Sequence, residues 1–243
     1  MIRRLALCCL LLPLVAACSA TPVPPTASRP AATPAPIVYA ALGASETFGI
    51  GSSNPGRDAF PQQLLARLGP GAVLYNFGIP SETTAAALSD ELPASVALHP
   101  GVATVFFNVD DLVAGVSAAD FEARFGRIVA GLRADPQTRV LVASTPPLDQ
   151  LPVFALCQQH TLACPLKGVE IPSASQVKAL IGAYNLAIAR VAAADGATVV
   201  DLSTAGILTA LHPEYISADG FHPSSSGAAA LAQAFYAALS PPG

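Results

Sequence analysis

Short apolar runs alternate with helix-like segments along most of this chain, and that alternation is typical of an α/β protein. The runs have the length and composition of buried parallel strands, which are almost continuously apolar because both of their faces are buried. The predicted strands are residues 37–42, 72–77, 102–107, 140–144 and 197–201. Five strands with helices between them predict a doubly wound parallel sheet.

The segments between these strands carry apolar residues at helical spacing. In 120–134, Phe121, Phe125, Ile128 and Leu132 fall on one helical face, so we expect core side chains there rather than ligand contacts. The predicted helices are 61–68, 82–92, 120–134, 176–194 and 224–239. A loop at 50–59 and a long proline-rich passage at 145–172 are predicted to be irregular, and the longer one is expected to border a substrate cleft.

The amino-terminal residues follow a different pattern. Arg3 and Arg4 precede an apolar run at 5–17, which is too short to span a bilayer but has the length of a signal-peptide core. The run ends in Val-Ala-Ala-Cys, and this sequence resembles the lipobox of bacterial lipoproteins, in which the cysteine, here Cys18, carries lipid. An ordinary cleaved signal with an incidental cysteine is the alternative.

Residues 19–36 are rich in Pro, Ala, Ser and Thr, a composition that cannot bury a core and predicts an extended spacer. The expected organisation is therefore a lipoprotein signal at 1–18, a linker at 19–36 and one folded domain at 37–243. In this interpretation the domain lies outside the cytoplasm and is anchored to the membrane through Cys18.

Composition narrows the possible partners of the domain. Apolar residues make up 52% of the chain and charged residues 12%, but the apolar excess is largely alanine, and no run after Cys18 is expected to span a membrane. The formal charge is −4, and it becomes −6 when Arg3 and Arg4 leave with the signal. Because no basic cluster is present, nucleic acid is not an expected partner.

Two cysteines, Cys157 and Cys164, remain in the predicted domain. A closely spaced pair in an exported protein is best explained by a disulfide. A metal site that includes His160 is the alternative, although no fourth ligand is evident.

Candidate chemistry lies at two places in the sequence. The first strand stops at Gly43, and Ser45 follows among small residues, at the edge of the sheet where α/β proteins bind ligands. A serine here is a candidate nucleophile, or a simple helix cap. Near the other end, Asp219 and His222 lie three residues apart just before the last predicted helix. They either form a simple turn, or His222 is a general base that Asp219 orients.

Together, Ser45 and the Asp-Gly-Phe-His-Pro motif at 219–223 resemble the SGNH (GDSL-type) hydrolase family over 37–239. The resemblance implies a flavodoxin-like three-layer sandwich with strand order 2-1-3-4-5. It also implies that Ser45 attacks an ester carbonyl, that His222 is the general base and that Asp219 orients His222. No metal or organic cofactor is implied.

In that family the oxyanion donors are the serine amide, a glycine amide and an asparagine side chain. The corresponding positions here are Ser45, Ser81 and Asp110, so two of the three depart from the family pattern. Ser81 keeps its N–H, although a positive φ would strain it. An ionised Asp110 would repel an oxyanion, unless burial keeps it protonated or Asn108 replaces it as the donor. Asp111 is expected to be structural.

Two functions follow from these observations. The first is a membrane-tethered serine esterase that acts on carboxylic or acetyl esters of a lipid, glycan or small molecule. The second is a binding protein of the cell envelope that keeps the fold but has lost efficient turnover through Ser81 and Asp110.

Overall fold

The structure is a computed structural model, which describes residues 36–159, 164, 172–202 and 206–239. The expected signal at 1–18, Cys18 and the linker up to residue 35 lie outside the described residues, as do His160 and parts of the 145–172 passage.

A parallel five-stranded sheet forms the centre of the domain. Its order is β2-β1-β3-β4-β5, which confirms the predicted doubly wound topology. The strands are β1 (Val38–Gly43), β2 (Val73–Asn76), β3 (Val102–Phe106), β4 (Arg139–Ala143) and β5 (Thr198–Val200). Gly43 pairs with Phe106 in register, so the ends of β1 and β3 lie side by side at the carboxyl edge of the sheet.

Ten α-helices occur in the described part of the chain. They are α1 (Ser45–Phe48), α2 (Pro55–Asp58), α3 (Phe60–Leu65), α4 (Thr84–Asp90), α5 (Leu92–Ala97), α6 (Val109–Val113), α7 (Ala118–Arg133), α8 (Pro152–Gln158), α9 (Ala174–Asp195) and α10 (Ser225–Leu239). Two 3₁₀ turns, Leu148–Gln150 and Pro213–Tyr215, accompany them.

Several predicted boundaries were wrong. The single helix expected at 82–92 is two helices, because Pro93 lies in the first turn of α5 and cannot donate the hydrogen bond that would continue α4. The expected loop at 50–59 contains α2, and the 145–172 passage contains α8. Each of these helices begins at a proline, Pro55 and Pro152, which is favoured in a first helical turn.

Side chains alternate between the two faces of the sheet, and each face has its own core. Tyr39 and Ala41 of β1 belong to the cluster under α3 and α10, which includes the stacked rings of Phe60 and Phe235. Ala40 and Leu42 belong to the cluster under α7 and α9. The predicted core residues of α7 are all in the second cluster: Phe121, Phe125, Ile128 and Leu132. Helices on both faces complete the expected three layers.

Helix α9 is long and apolar enough, by length and composition, to cross a membrane. The expectation that no segment after Cys18 reaches that length was therefore wrong. Its buried residues Tyr184, Ile188 and Val191 pack in the cluster shared with α7. We therefore describe α9 as a core helix of the domain.

Cys157, in the last turn of α8, forms a disulfide with Cys164, as predicted. Both cysteines are buried in the core. The alternative of a metal site on these thiols is therefore not supported. Within the described residues no group of three or more His, Cys, Asp or Glu side chains could hold a metal ion.

Candidate active site

The turn between β1 and α1 presents Ser45 at the carboxyl edge of the sheet. Gly43, the last residue of β1, has φ +150°, and a Cβ there would lie 2.2 Å from Thr47 Oγ1 and 2.6 Å from the Phe106 carbonyl oxygen. Only glycine fits this close approach. The chain therefore turns sharply at Gly43, and Ser45 is the first residue of α1, where the backbone N–H groups have no partner within the helix.

Polar contacts from other segments hold this turn in place. Glu91, which is fully buried between α4 and α5, accepts a hydrogen bond at Oε2 from the Gly43 N–H at 2.9 Å. Asn76, at the end of β2, donates to the Thr47 carbonyl oxygen at 2.8 Å. Burial raises the pKa of Glu91 to about 9, so that this carboxyl is neutral at pH 7.

The loop before α10 brings Asp219 and His222 together. His222 Nδ1 lies 2.8 Å from Asp219 Oδ2. The other oxygen, Oδ1, accepts hydrogen bonds from Ser217 Oγ and from the backbone N–H groups of Phe221 and His222 at 2.7–2.9 Å. Partial burial would raise the pKa of Asp219, but these hydrogen bonds, led by that from His222, lower it to about 2. Asp219 is therefore ionised at pH 7.

This loop is supported on two sides. Gly51 lies so close to it that a Cβ would be 2.5 Å from the Pro223 carbonyl oxygen and 2.8 Å from His222 Cβ. Val153 of α8 donates its backbone N–H to the Gly220 carbonyl oxygen at 3.0 Å. Part of the passage expected to border the cleft therefore contacts the loop that carries the candidate base.

Ser45 does not bond to His222 in this structure. Its Oγ instead donates to Glu46 Oε2 at 3.2 Å. Glu46 is only 7% exposed, and this burial is the main influence that raises the pKa of its carboxyl. Its own backbone amide and the charge of His222 lower this pKa, whereas the charge of Asp219 raises it. The charges of His222 and Asp219 thus both act on the carboxyl of Glu46. One site therefore contains four residues: Ser45, Glu46, Asp219 and His222.

Two backbone amides at the positions predicted for oxyanion donors are unpaired in the described structure. The N–H groups of Ser45 and Ser81 have no hydrogen-bond partner among the described residues. Ser81 has φ 67°, the left-handed conformation that favours glycine, so the expected strain is present. Gly78, three residues before Ser81, approaches α1 so closely that a Cβ would lie 2.4 Å from the Phe48 nitrogen. The segment that carries Ser81 therefore packs directly against α1.

The third donor position lies at the start of α6. Burial, together with the negative charges of Glu46 and Asp111, raises the pKa of the half-buried Asp110 to about 7. His222 also acts on the pKa of Asp110, which places this carboxyl near the site. Asp111 is structural, as expected, because its two oxygens accept from the N–H and Oγ1 of Thr84 at 2.8 and 2.7 Å.

Asn108, the other candidate donor, directly precedes α6 and is 2% exposed. Neither its Nδ2 nor its Oδ1 has a partner among the described residues. A buried amide without hydrogen bonds costs free energy, and Asn108 keeps one unused donor group and one unused acceptor in the described structure.

Three residues of the site were not expected from the sequence: Glu46, Glu91 and Asn76. Glu46 carried a signal, because it is an acidic residue beside the candidate nucleophile in an otherwise apolar stretch. Glu91 and Asn76 carried none, since their partners are 48 and 29 positions away in the chain.

The fold and the site together define a doubly wound α/β protein with a serine just after its first strand, at the carboxyl edge of the sheet. The family model of the GDSL-like lipase/acylhydrolase family matches residues 41–230, and the chain belongs to this family. Its members are hydrolases of ester substrates.

Solved structures share this fold. A lipase from a goat rumen metagenome has a TM-score of 0.63 at 19% identity, over 84% of this chain and 97% of the other. An α/β hydrolase from the Lake Arreo metagenome has a TM-score of 0.61 at 21% identity, over 83% and 94%. A lipase/acylhydrolase from Enterococcus faecalis has a TM-score of 0.59 at 19% identity, over 83% and 94%. No curated protein sequence matches the chain.

Proposed function

We propose that this protein is an extracytoplasmic serine esterase that hydrolyses carboxylic esters, including acetyl esters, through an acyl-enzyme. The observation that carries the proposal is the 2.8 Å contact between His222 Nδ1 and Asp219 Oδ2, in the same site as Ser45. With Nδ1 donating to an ionised Asp219, the other ring nitrogen is free to accept a proton. Family membership supports ester hydrolysis, and the roles of individual residues are our proposal.

In this mechanism Ser45 is the nucleophile. Its hydroxyl turns from Glu46 toward His222 by rotation about one side-chain bond, and His222 accepts the proton as Oγ attacks the ester carbonyl. The protonated His222, stabilised by Asp219, then gives the proton to the departing alcohol. Water repeats the sequence to release the acid and regenerate Ser45.

Negative charge on the tetrahedral intermediate is stabilised by the N–H groups of Ser45 and Ser81 and by a third donor, Asp110 in its neutral form. Burial favours that form, since it raises the pKa of Asp110 from 3.8 to about 7. As the pH rises through 7, Asp110 loses its proton and changes from a hydrogen-bond donor to a repelling charge. Activity is therefore expected to decline on the alkaline side of pH 7.

The test is hydrolysis of short-chain aryl esters by residues 19–243 between pH 5 and 9. Ser45→Ala is expected to abolish activity, and Asp110→Asn to remove the alkaline decline. A lost oxyanion donor lowers turnover by about 100- to 1000-fold, so Asp110→Asn should raise activity at pH 9 by up to about 100-fold. Asp90→Asn, at an exposed acid, is the control and should change nothing.

Two results would contradict the proposal. Activity that survives Ser45→Ala would exclude Ser45 as the nucleophile. A parent protein without activity, in which Asp110→Asn restores none, would favour the binding-protein alternative.

The substrate is an ester or acetyl group on a lipid, glycan or small molecule outside the cytoplasm, and the enzyme is anchored to the membrane through Cys18. The lipobox-like sequence supports this location, and so does the Cys157–Cys164 disulfide, because structural disulfides are typical of exported proteins.

A further inference from the structure

A buried carboxyl directly beside the nucleophile has no part in the mechanism above. Glu46 follows Ser45 in the first turn of α1, is 7% exposed, and receives the Ser45 hydroxyl at Oε2 at a distance of 3.2 Å. The hydroxyl proton that must leave during attack therefore already points at a carboxylate oxygen.

The surroundings of Glu46 lack a permanent positive charge. Within the described part of the chain, no lysine or arginine forms an ion pair with it. The ionisable groups that act on it are His222 and Asp219 in the loop before α10, and Asp110 in α6. Burial raises the pKa of Glu46, and the negative charge of Asp219 raises it further, so this carboxylate is a stronger base than an exposed one.

We propose that Glu46 is a second proton acceptor for Ser45, acting on the same hydroxyl as His222. This inference rests on the proposed function, in which Ser45 is the nucleophile. The 3.2 Å contact supplies the geometry for the transfer. The buried position favours the transfer, because protonation neutralises a carboxylate and so removes the free-energy cost of a buried charge.

The step balances without any added reagent. The bond from Ser45 Oγ to the ester carbon forms, the carbonyl π electrons move to the carbonyl oxygen, and the hydroxyl proton moves to Glu46 Oε2. When the tetrahedral intermediate collapses, the carbon–oxygen bond to the alcohol breaks, and the neutral carboxyl of Glu46 returns the proton to the departing alkoxide. Glu46 touches a reacting atom in this step and is a catalytic residue.

The experiment compares Glu46→Gln in the parent protein and in a His222→Ala background. Glutamine keeps the size of the side chain and a hydrogen-bond acceptor for Ser45, but it cannot take a proton at pH 5–9. The two readouts are hydrolysis of an aryl acetate and the rate at which a fluorophosphonate labels Ser45, followed by mass spectrometry.

If Glu46 accepts the proton, His222→Ala retains activity at least about 10-fold above Ser45→Ala, since one general base contributes about 10²- to 10⁴-fold. That residual activity should rise with pH as Glu46 ionises, and Glu46→Gln should remove it. In the parent protein, where His222 also acts, Glu46→Gln should lower both rates by a smaller factor, about 10-fold or less.

Two outcomes would overturn the inference. In the first, Glu46→Gln leaves the residual rates of His222→Ala unchanged, so Glu46 only packs in the site. In the second, Glu46→Gln raises the rates of the parent protein, so Glu46 holds the hydroxyl away from His222.

Glu122→Gln is the control. Glu122 is an acid of α7 that forms an ion pair with Arg190 of α9, and no hydrogen bond joins it to Ser45 in the described structure. Its substitution should leave the residual rates of His222→Ala unchanged. Fluorophosphonate labelling of Ser45→Ala separates the two proposals. If Ser45→Ala is still labelled, the proposed function fails. If Ser45→Ala is not labelled and Glu46→Gln leaves the rates unchanged, only the inference about Glu46 fails.

Discussion

Ionisable side chains are buried around the nucleophile to an unusual degree for a chain with so few charges. Glu46, Glu82, Glu91 and Asp111 are all buried, and Asp110 is half-buried. Charged side chains are seldom buried unless they are paired, and burial raises the pKa of Glu46, Glu82, Glu91 and Asp110. Glu91 also holds the nucleophile turn, because it binds the amide of Gly43.

Glu91 should make the stability of the domain depend on pH. The pKa of Glu91 is about 9 in the folded protein and ordinarily 4.5, so between these values the folded protein keeps a proton that the unfolded chain releases. The stabilisation is complete below about pH 4.5 and is lost as the pH rises toward 9. We expect Glu91→Gln, which cannot titrate, to gain free energy of unfolding relative to the parent over this range, by at most about 1.4 kcal/mol per pH unit.

The measurement is urea denaturation of the two proteins at pH 5, 7 and 9. Glu122→Gln is the control, because the ion pair with Arg190 lowers the pKa of Glu122, and its titration lies below this range. Parallel pH dependences of the parent and Glu91→Gln would show that Glu91 is ionised in the folded protein.

At the scale of elements, the long segments were predictable and the short ones were not. Apolar runs identified all five strands, because parallel strands are buried on both faces, and helical spacing identified α7, α9 and α10. Helices α1, α2, α6 and α8 span only four to seven residues, too few for their apolar spacing to stand out. Three of them carry the site or support it: α1 holds Ser45, α6 holds Asp110, and α8 contacts the His222 loop.

In the candidate site, too, some features were predictable from the sequence and others were not. Ser45, Asp219 and His222 were expected from local sequence motifs, and the structure brings them to one edge of the sheet. The positive φ of Ser81 and the structural role of Asp111 were also anticipated. The contact of Ser45 Oγ with Glu46 was not, because the sequence does not give the side-chain rotamer that turns this hydroxyl toward Glu46 rather than toward His222.

Helix α8 gives a prediction about the disulfide. Its first turn contacts the His222 loop through Val153, and its last turn is joined to Cys164. Opening the loop of this bridge in Cys157→Ala/Cys164→Ala should lower the free energy of unfolding by about 2.5 kcal/mol in the chain-entropy model. Because the Val153 contact lies at the other end of α8, ester hydrolysis by the folded variant should stay close to that of the parent.

Urea denaturation with and without dithiothreitol checks this prediction. The parent should lose stability on reduction, and the double variant should not respond. A parent whose denaturation midpoint is unaffected by complete reduction would contradict it.

At the scale of the whole molecule, we propose separate tasks for the folded domain and the amino-terminal segment. The described residues form one sheet with two cores and a site at its carboxyl edge. Residues 19–36, between the proposed lipid anchor at Cys18 and the domain, are rich in Pro, Ala, Ser and Thr, a composition that predicts a spacer.

The anchor makes the location of the whole protein depend on one thiol. In a bacterial host that processes lipoproteins, the full-length chain should sediment with membranes and incorporate labelled palmitate, and Cys18→Ala should do neither. Stable attachment requires more than one acyl chain, so loss of the lipidated residue should release the domain completely rather than weaken its binding. Cys8→Ala and Cys9→Ala, in the expected signal core, are the controls and should remain attached. Release of the parent protein into the soluble fraction, without label, would instead favour an ordinary cleaved signal, and the esterase would then act as a free secreted enzyme.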